Sequence, residues 1–479
     1  MSLFRYALPA LLAIALTATS QASSLPSIGD TSSGIVSRQQ EKELGQRFLL
    51  QLNRQSAREA DPQLVDYTET LVARLTEVSQ IPLPDLSIVL LNNPWLNAFA
   101  VPGSVVGIHT GLFHYADTEA EFAGVIAHEL AHLRLRHYAR SIESQQQQQL
   151  PTLAALLGSI LLVASGAPDA GIAALSSTMA GSLDARISFT RTHEQEADRV
   201  GIQILADAGI DPRGMPRLFE RMSKMEGTGP QYEFLRTHPL SSSRLADTRA
   251  RAERYPAVNN SKRQLSYQLM QKRAMLLMSR TPEKVRDAFR SEVNTGRTRS
   301  LTASRYGLAL AENTLKNPEA AEKALSPLTA SDNRNISIQI LHQQIQFALG
   351  KQQQALKSLQ QLLALNPGNF PITTVIADLL QQDGQYKNAQ TLFSRICKTR
   401  PRDPEAWYRL AEAAGLAKEP LATHTARAEY FFLTGNLAKA RLQLERALAV
   451  PDTPFSRKEA INHRLREIRD MQTSPEYQG

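Results

Sequence analysis

The stretch His128-Glu129-Leu130-Ala131-His132 sits inside a segment that reads as one helix from about Thr118 to Tyr138. Thr118 followed three residues later by Glu121 is a capping-box start. Histidines at i and i+4 share one helix face about one turn apart, so their imidazoles can hold one Zn²⁺ between them. Glu129, rotated by about 100° from His128, stands beside that metal. There its carboxylate can take a proton from the attacking water and pass it to a leaving amine.

Zinc in a hydrolase takes three protein ligands and leaves a fourth position open. A third histidine six residues after His132, with a glycine between, is missing. Leu135 occupies the glycine slot, and His137 falls five residues on, where it is expected to point elsewhere on the helix as a structural residue. Glu194-Gln195-Glu196-Ala197-Asp198 lies on a second long helix, Thr192 to Ala208, with Gly209 as its stop. Glu194 and Asp198 at i and i+4 can both face the first helix. Glu194 then ligates, and Asp198 accepts an N–H from a ligating imidazole and fixes its tautomer. Glu196, expected to face away beside Arg199, is the local alternative ligand. His238, flanked by Thr237 and Pro239, is the sole histidine between this helix and the C-terminal part. It is a candidate for the fourth zinc position in a latent state, or for binding the transition state.

Upstream, residues 86 to 112 change character. Leu86 to Leu91, Trp95 to Val101 and Val105 to Thr110 read as short strands, broken by Asn92-Asn93-Pro94 and Pro102-Gly103. Asn97, Ala98, Phe99 and Ala100 form a candidate substrate strand, because a strand beside a zinc helix can take up an extended peptide at the sheet edge. Residues 38 to 80 read as helical. Arg5, an apolar run from Ala7 to Ala18 and Ser20-Gln21-Ala22 have the layout of a cleaved secretory signal over 1–22. Between the two metal-bearing helices, residues 150–183 read as an apolar helical hairpin, either buried on its own domain or touching a membrane or a partner. Its arms, about 22 Å long, fall short of a bilayer's roughly 30 Å core.

A linker begins at Tyr255-Pro256. Beyond it Gly350-x4-Ala355 recurs as Gly384-x4-Ala389, and Pro367 recurs as Pro401, both at 34 residues. Gly435-x4-Ala440 follows after one and a half periods. A 34-residue helix-turn-helix period is that of tetratricopeptide (TPR) repeats, here in four units at most. Such stacks bind protein segments.

Of 479 residues, 42% are hydrophobic and 21% charged, and mean hydropathy is -0.29. These values exclude a disordered chain and a polytopic membrane protein. Cys397 is the single cysteine, so no intramolecular disulfide exists. The net charge of +8 is scattered, which favours anionic surfaces weakly and gives no case for nucleic acid.

H-E-x-x-H followed by E-x-x-x-D resembles the gluzincin family of the CAAX prenyl protease and HtpX. The order of leader, peptidase and repeats resembles its periplasmic branch of β-barrel assembly-enhancing proteases. Asn97-Ala98-Phe99-Ala100-x-Pro102-Gly103, His128 to His137, Glu194 to Gly201 and Thr237-His238-Pro239 carry the match. The resemblance implies His128, His132 and Glu194 as ligands of one Zn²⁺ per chain and Glu129 as catalytic base. Asp198 is the second acidic residue, often assigned as proton donor. The family's Pro-Gly-Gly is Pro102-Gly103-Ser104 here, a departure at that turn. The expected fold is α+β: a mostly helical zinc metalloprotease domain with a small sheet (23–255), then an all-α TPR solenoid (256–479). The implied activity is periplasmic endopeptidase action on misfolded or stalled outer-membrane proteins, with assistance to their assembly. Partners would be protein substrates and the outer-membrane protein assembly machinery, reached through the repeats, with possible peripheral membrane contact. The alternative is a chaperone or scaffold working through the repeats, with the protease site latent or vestigial.

Overall fold

The computed structural model describes residues 37–79, 81, 86–143, 158, 160–162, 183–225, 233–258, 261–329 and 334–473. The leader at 1–22 and most of the apolar segment 150–183 lie outside the described residues. Of that segment, Ile160 and Leu161 are buried in one cluster with Phe48, Leu52, Phe99 and Val101.

The region read as helical over 38–80 is two helices, α1 (Arg38–Gln55) and α2 (Pro62–Val78). Ser37 and Gln40 close a reciprocal capping box on α1. Asp61 accepts from the Gln63 and Leu64 amides to start α2. The break exists because the intervening chain pairs with a strand: the Glu59 amide donates to Leu90 O at 2.9 Å, and the Asn92 amide to Ala57 O at 2.9 Å.

That strand is β1 (Ser87–Leu91), in a three-stranded sheet of order β1-β3-β2 with β2 (Ala98–Val101) and β3 (Val105–His109). β1 runs parallel to β3, and β2 antiparallel to it. The β2–β3 turn has Gly103 at φ 82 and Ser104 at φ 66. A Cβ at Gly103 would lie 2.4 Å from Glu41 O, so only glycine fits beneath α1. Ser104 adopts a left-handed conformation that glycine would take at less cost, which is what its departure from Pro-Gly-Gly means physically.

After α3 (Gly111–Tyr115) comes α4 (Glu119–Arg134). Thr118 caps it by accepting from the Glu121 amide, while Glu121 Oε2 reaches back to the Asp117 amide, one residue short of a closed box. Nearly every residue of α4 from Glu119 to His132 is buried, so the metal motif lies on a central helix. The helix does not continue to Tyr138. Arg136 turns at φ 49, and α5 (His137–Glu143) restarts the chain.

α6 (Leu183–Asp207) lies along α4. Gly201 permits the close approach, since a Cβ there would sit 3.2 Å from the His128 amide nitrogen and 3.3 Å from Ala127 C. Gly209, at φ 62, ends the helix with Gly209 N→Ala206 O and Ile210 N→Leu205 O bonds, both 2.9 Å. α7 (Gly214–Met225), α8 (Glu233–Thr237) and α9 (Ser242–Ala252) complete this part.

The first helix beyond the linker, α10 (Ser261–Leu277), is packed into the same core. The Tyr267 hydroxyl donates to Ala116 O at 2.8 Å, and Gln271 Nε2 donates to Phe113 O and Ala116 O. Arg273 pairs with Asp61 and donates to the Tyr306 hydroxyl. α11 (Pro282–Thr295) follows.

Five helix pairs then repeat: α12–α13 (Leu301–Thr314, Pro318–Thr329), α14–α15 (Ile336–Ala348, Gln352–Leu365), α16–α17 (Phe370–Gln382, Tyr386–Thr399), α18–α19 (Pro404–Leu416, Pro420–Leu433) and α20–α21 (Leu437–Leu448, Phe455–Thr473). The expected ceiling of four units is therefore too low. Lys316, Gly350, Gly384, Lys418 and Asp452 stand 34 residues apart, and each takes a positive φ at the turn within its unit (63, 86, 77, 59 and 56°). Three units keep the turn but have lost its glycine, which hid them from a count of Gly-x4-Ala signatures. The stack touches the N-terminal part at Arg400, bidentate on Glu69 (2.7 and 2.6 Å), and at Leu433 O, which accepts from Asn53 Nδ2 at 3.0 Å. Among the described residues no helix is long and apolar enough to cross a membrane.

Candidate active site

α4 supplies His128, Glu129 and His132, α6 supplies Glu194 and Asp198, and the turn after α8 supplies His238. Ligand-type atoms of His128, His132, Glu194 and His238 lie within 4.8 Å of one another, and all four residues are buried. His128 Nε2 is 3.0 Å from His132 Nε2 and 3.3 Å from Glu194 Oε2. Glu194 Oε1 is 3.4 Å from His132 Nε2. His238 Nδ1 is 3.3 Å from His128 Nε2 and 3.1 Å from Glu194 Oε1. Donors about 2.0–2.1 Å from a tetrahedral zinc are spaced about 3.3 Å apart. The donor types and their spacings both fit that ion.

Glu129 stands beside this cluster, with Oε1 3.4 Å from His238 Nε2. Burial pushes its carboxyl above the ordinary range, against the pull of His238, His128 and the Ala100 backbone amide. A buried carboxylate raised in this way is a better proton acceptor.

Asp198 Oδ1 is 2.9 Å from His128 Nδ1, on the ring edge away from the cluster. Arg244 grips Asp198 through Nε and Nη2, and its Nη1 reaches Pro239 O at 2.7 Å and Glu194 Oε2 at 2.9 Å. Sequence reasoning did not single out Arg244. The available signal was its place six residues after His238, in the same short segment. Burial opposes charge on His128, but Asp198 and Glu194 overcome it and lift the imidazole to about 10. Burial holds His132 down to about 4. Glu194 stays well below the usual carboxylate range: burial works to raise it, and His238, His128 and His132 prevail. The carboxylates that draw a proton onto His128 make a pocket that favours a cation.

His137 does not point away. The turn at Arg136 swings it back, so that its Nδ1 lies 2.8 Å from His132 Nδ1. The expectation failed because it extended α4 straight through a break. Glu196 lies outside the donor cluster, yet its partners are His137 Nε2 at 3.2 Å and Arg140 Nη1 at 2.7 Å. Arg199 pairs with Asp247 instead.

Ala98, Phe99 and Ala100 lie in β2, the outer strand of the sheet beside α4, and the Asn97 carbonyl accepts from the His109 amide at 3.0 Å. All four are buried. Phe234 N donates to Leu96 O and Phe234 stacks on His238, tying the His238 turn to the chain that leads into β2.

Fold and site together define a metallopeptidase with appended helical repeats. Residues 62–252 match the model of peptidase family M48, and residues 346–414 match that of a tetratricopeptide repeat. The chain belongs to the beta-barrel assembly-enhancing proteases of family M48, and it is a metalloendopeptidase. It is 32% identical over 453 residues to the beta-barrel assembly-enhancing protease of Escherichia coli K12, covering 94% of this chain and 92% of that one. The Yersinia pestis protein of the same name is 34% identical over 420 residues, 87% of this chain and 85% of that one. The mitochondrial metalloendopeptidase OMA1 of Arabidopsis thaliana is 34% identical over 157 residues, 33% of this chain and 30% of its own.

Proposed function

We propose that this is a periplasmic zinc endopeptidase that acts on outer-membrane proteins which fail to assemble and assists the assembly of others. The buried convergence of His128, His132 and Glu194, with Glu129 alongside, carries the reading. Those three residues would hold one Zn²⁺. Bound there, the ion supplies Lewis-acid polarisation of the scissile carbonyl and of water. Glu129 takes the proton released by the attacking water and returns it to the leaving amine. Asp198, with its oxygens engaged by His128 and Arg244, acts through His128 as a positioning group rather than as a proton donor. β2 from Ala98 to Ala100, preceded by Asn97, holds the substrate extended along the sheet edge. His238 shares the donor cluster and faces Glu129, which supports a resting state in which it fills the fourth ligand position.

The peptidase unit spans 23–255 after a leader at 1–22, and the repeat unit spans 256–479. The repeats receive the outer-membrane protein assembly machinery, and Ile160 and Leu161 of the apolar segment, buried with Phe48 and Phe99, support the reading in which that segment packs on its own domain. The lodged His238 also favours a second reading, a scaffold acting through its repeats with the protease held latent. Metal content and casein cleavage separate these readings. One Zn²⁺ per chain with cleavage by wild type supports the first. A metal-loaded wild type that cleaves neither casein nor unassembled outer-membrane proteins supports the second. A chain that takes up no metal overturns the zinc site.

A further inference from the structure

The histidine ligands differ in what stands behind them. His128 is backed by the carboxylate of Asp198. His132 is backed by another imidazole, His137, with Nδ1 facing Nδ1 at 2.8 Å. Two facing ring nitrogens form a hydrogen bond only if one carries the proton and the other does not. His132 Nε2 faces Glu194 and His128 Nε2, so in the zinc reading, on which this inference rests, that nitrogen offers its lone pair to the metal. A neutral His132 then carries its proton on Nδ1 and donates to His137 Nδ1. That leaves the His137 proton on Nε2, directed at Glu196 Oε2 3.2 Å away. Arg140 Nη1 anchors the same Glu196 oxygen at 2.7 Å. His193 stacks flat on His137, with centroids 4.1 Å apart and planes 7° apart, and fixes the ring plane.

We infer that His137 is the positioning residue of His132, and that the chain His132–His137–Glu196–Arg140 sets the tautomer and the aim of that ligand. The break at Arg136 exists in this fold to deliver His137 to that place. A straight helix would carry residue 137 about 140° around the axis from residue 132. An imidazole at this place supplies an acceptor without adding a further carboxylate to a site that already buries Glu129, Glu194 and Asp198. Glu196 supplies the charge one residue farther out, where its side chain is one-third exposed. It thereby has a role behind a ligand, not as one.

The test uses the metal-free full chain, titrated with Zn²⁺ and with Co²⁺ against a competing chelator. Wild type is compared with His137→Leu, His137→Asn and Glu196→Ala. All are expected to bind one ion at saturation. Loss of a ligand's hydrogen-bond partner costs about 10- to 100-fold in metal affinity. His137→Leu should show that loss and an altered Co²⁺ visible spectrum. His137→Asn keeps an acceptor near the Nδ1 position and should recover most of the affinity. Glu196→Ala should lose a smaller factor, on the order of threefold to tenfold. A structural role alone would lower the melting temperature without the recovery in His137→Asn. Wild-type affinity and spectrum in His137→Leu overturn the inference. If that variant does not fold, wild-type affinity in Glu196→Ala overturns it. If wild type itself binds no metal, the zinc reading falls and the inference falls with it, a result distinct from either of the others.

Discussion

Arg244 closes on Asp198 with two parallel contacts, Nε to Oδ2 at 2.7 Å and Nη2 to Oδ1 at 2.8 Å, and both side chains are 1% exposed. Breaking a buried pair strands the surviving charge, at about 3–5 kcal/mol. Arg244→Leu should therefore lose about that much in chemical denaturation. Arg244→Lys should recover little, since an ammonium cannot make the fork. A loss below about 1 kcal/mol for Arg244→Leu would contradict this account.

Glu129 is assigned proton transfer and no bond to the ion. Glu129→Gln should keep one metal per chain and the wild-type melting temperature while casein cleavage falls by at least about a hundredfold. Cleavage retained by the metal-loaded variant would remove Glu129 from the mechanism.

In the proposed resting state His238 fills the position that a substrate carbonyl or water would need. His238→Ala should raise basal proteolysis several-fold if occupancy is the dominant effect, and lower it if the ring steadies the transition state. Equal rates in wild type and variant, on casein and on an unassembled outer-membrane protein, would reduce His238 to a packing residue.

Gly201 sets the distance between α4 and α6. In Gly201→Ala the new methyl meets backbone at 3.2–3.3 Å, and the Met215 methyl must also move. Overpacking of this kind costs about 1–3 kcal/mol. Because the strain falls beside His128, metal affinity should drop along with stability. A variant with unchanged melting temperature and metal affinity would show that the helices have slack.

His109 is fully buried, and burial holds its imidazole down to about 3, against 6.5 in the unfolded chain. The unfolded state binds the extra proton first, so the contribution is intact above pH 6.5 and is lost as pH falls from 6.5 towards 3. The loss reaches roughly 4–5 kcal/mol at the acid end. His109→Leu should flatten that limb of the stability–pH curve. An identical acid limb in the variant would assign the effect to other groups.

The motif helix was legible because H-E-x-x-H and the Thr118 cap both follow helical spacing, and the strands because Asn92-Asn93-Pro94 and Pro102-Gly103 punctuate them. Three features were not. Arg136 carries no signal of a break, since a non-glycine residue with positive φ looks ordinary in sequence, and the role of His137 was lost with it. Arg244 was missed because a buried arginine is recognisable only once its carboxylates are in place. Lys316, Lys418 and Asp452 concealed three of the five repeat units, because the turn outlived its glycine. Periodicity of residue type fades sooner than periodicity of backbone shape.

The placement of α10 bears on how the protein can be divided. Tyr267 and Gln271 satisfy the carbonyls of Phe113 and Ala116, just before the helix that carries the metal motif. A chain cut at the linker would keep every residue of the site and lose the cover over Phe113 and Phe122. The boundary drawn at the linker and the boundary of the packed core then do not coincide. The core also runs on into the first repeat helices through Tyr306 and Leu310, so the peptidase can travel to a new architecture only with α10 and a cover for that face.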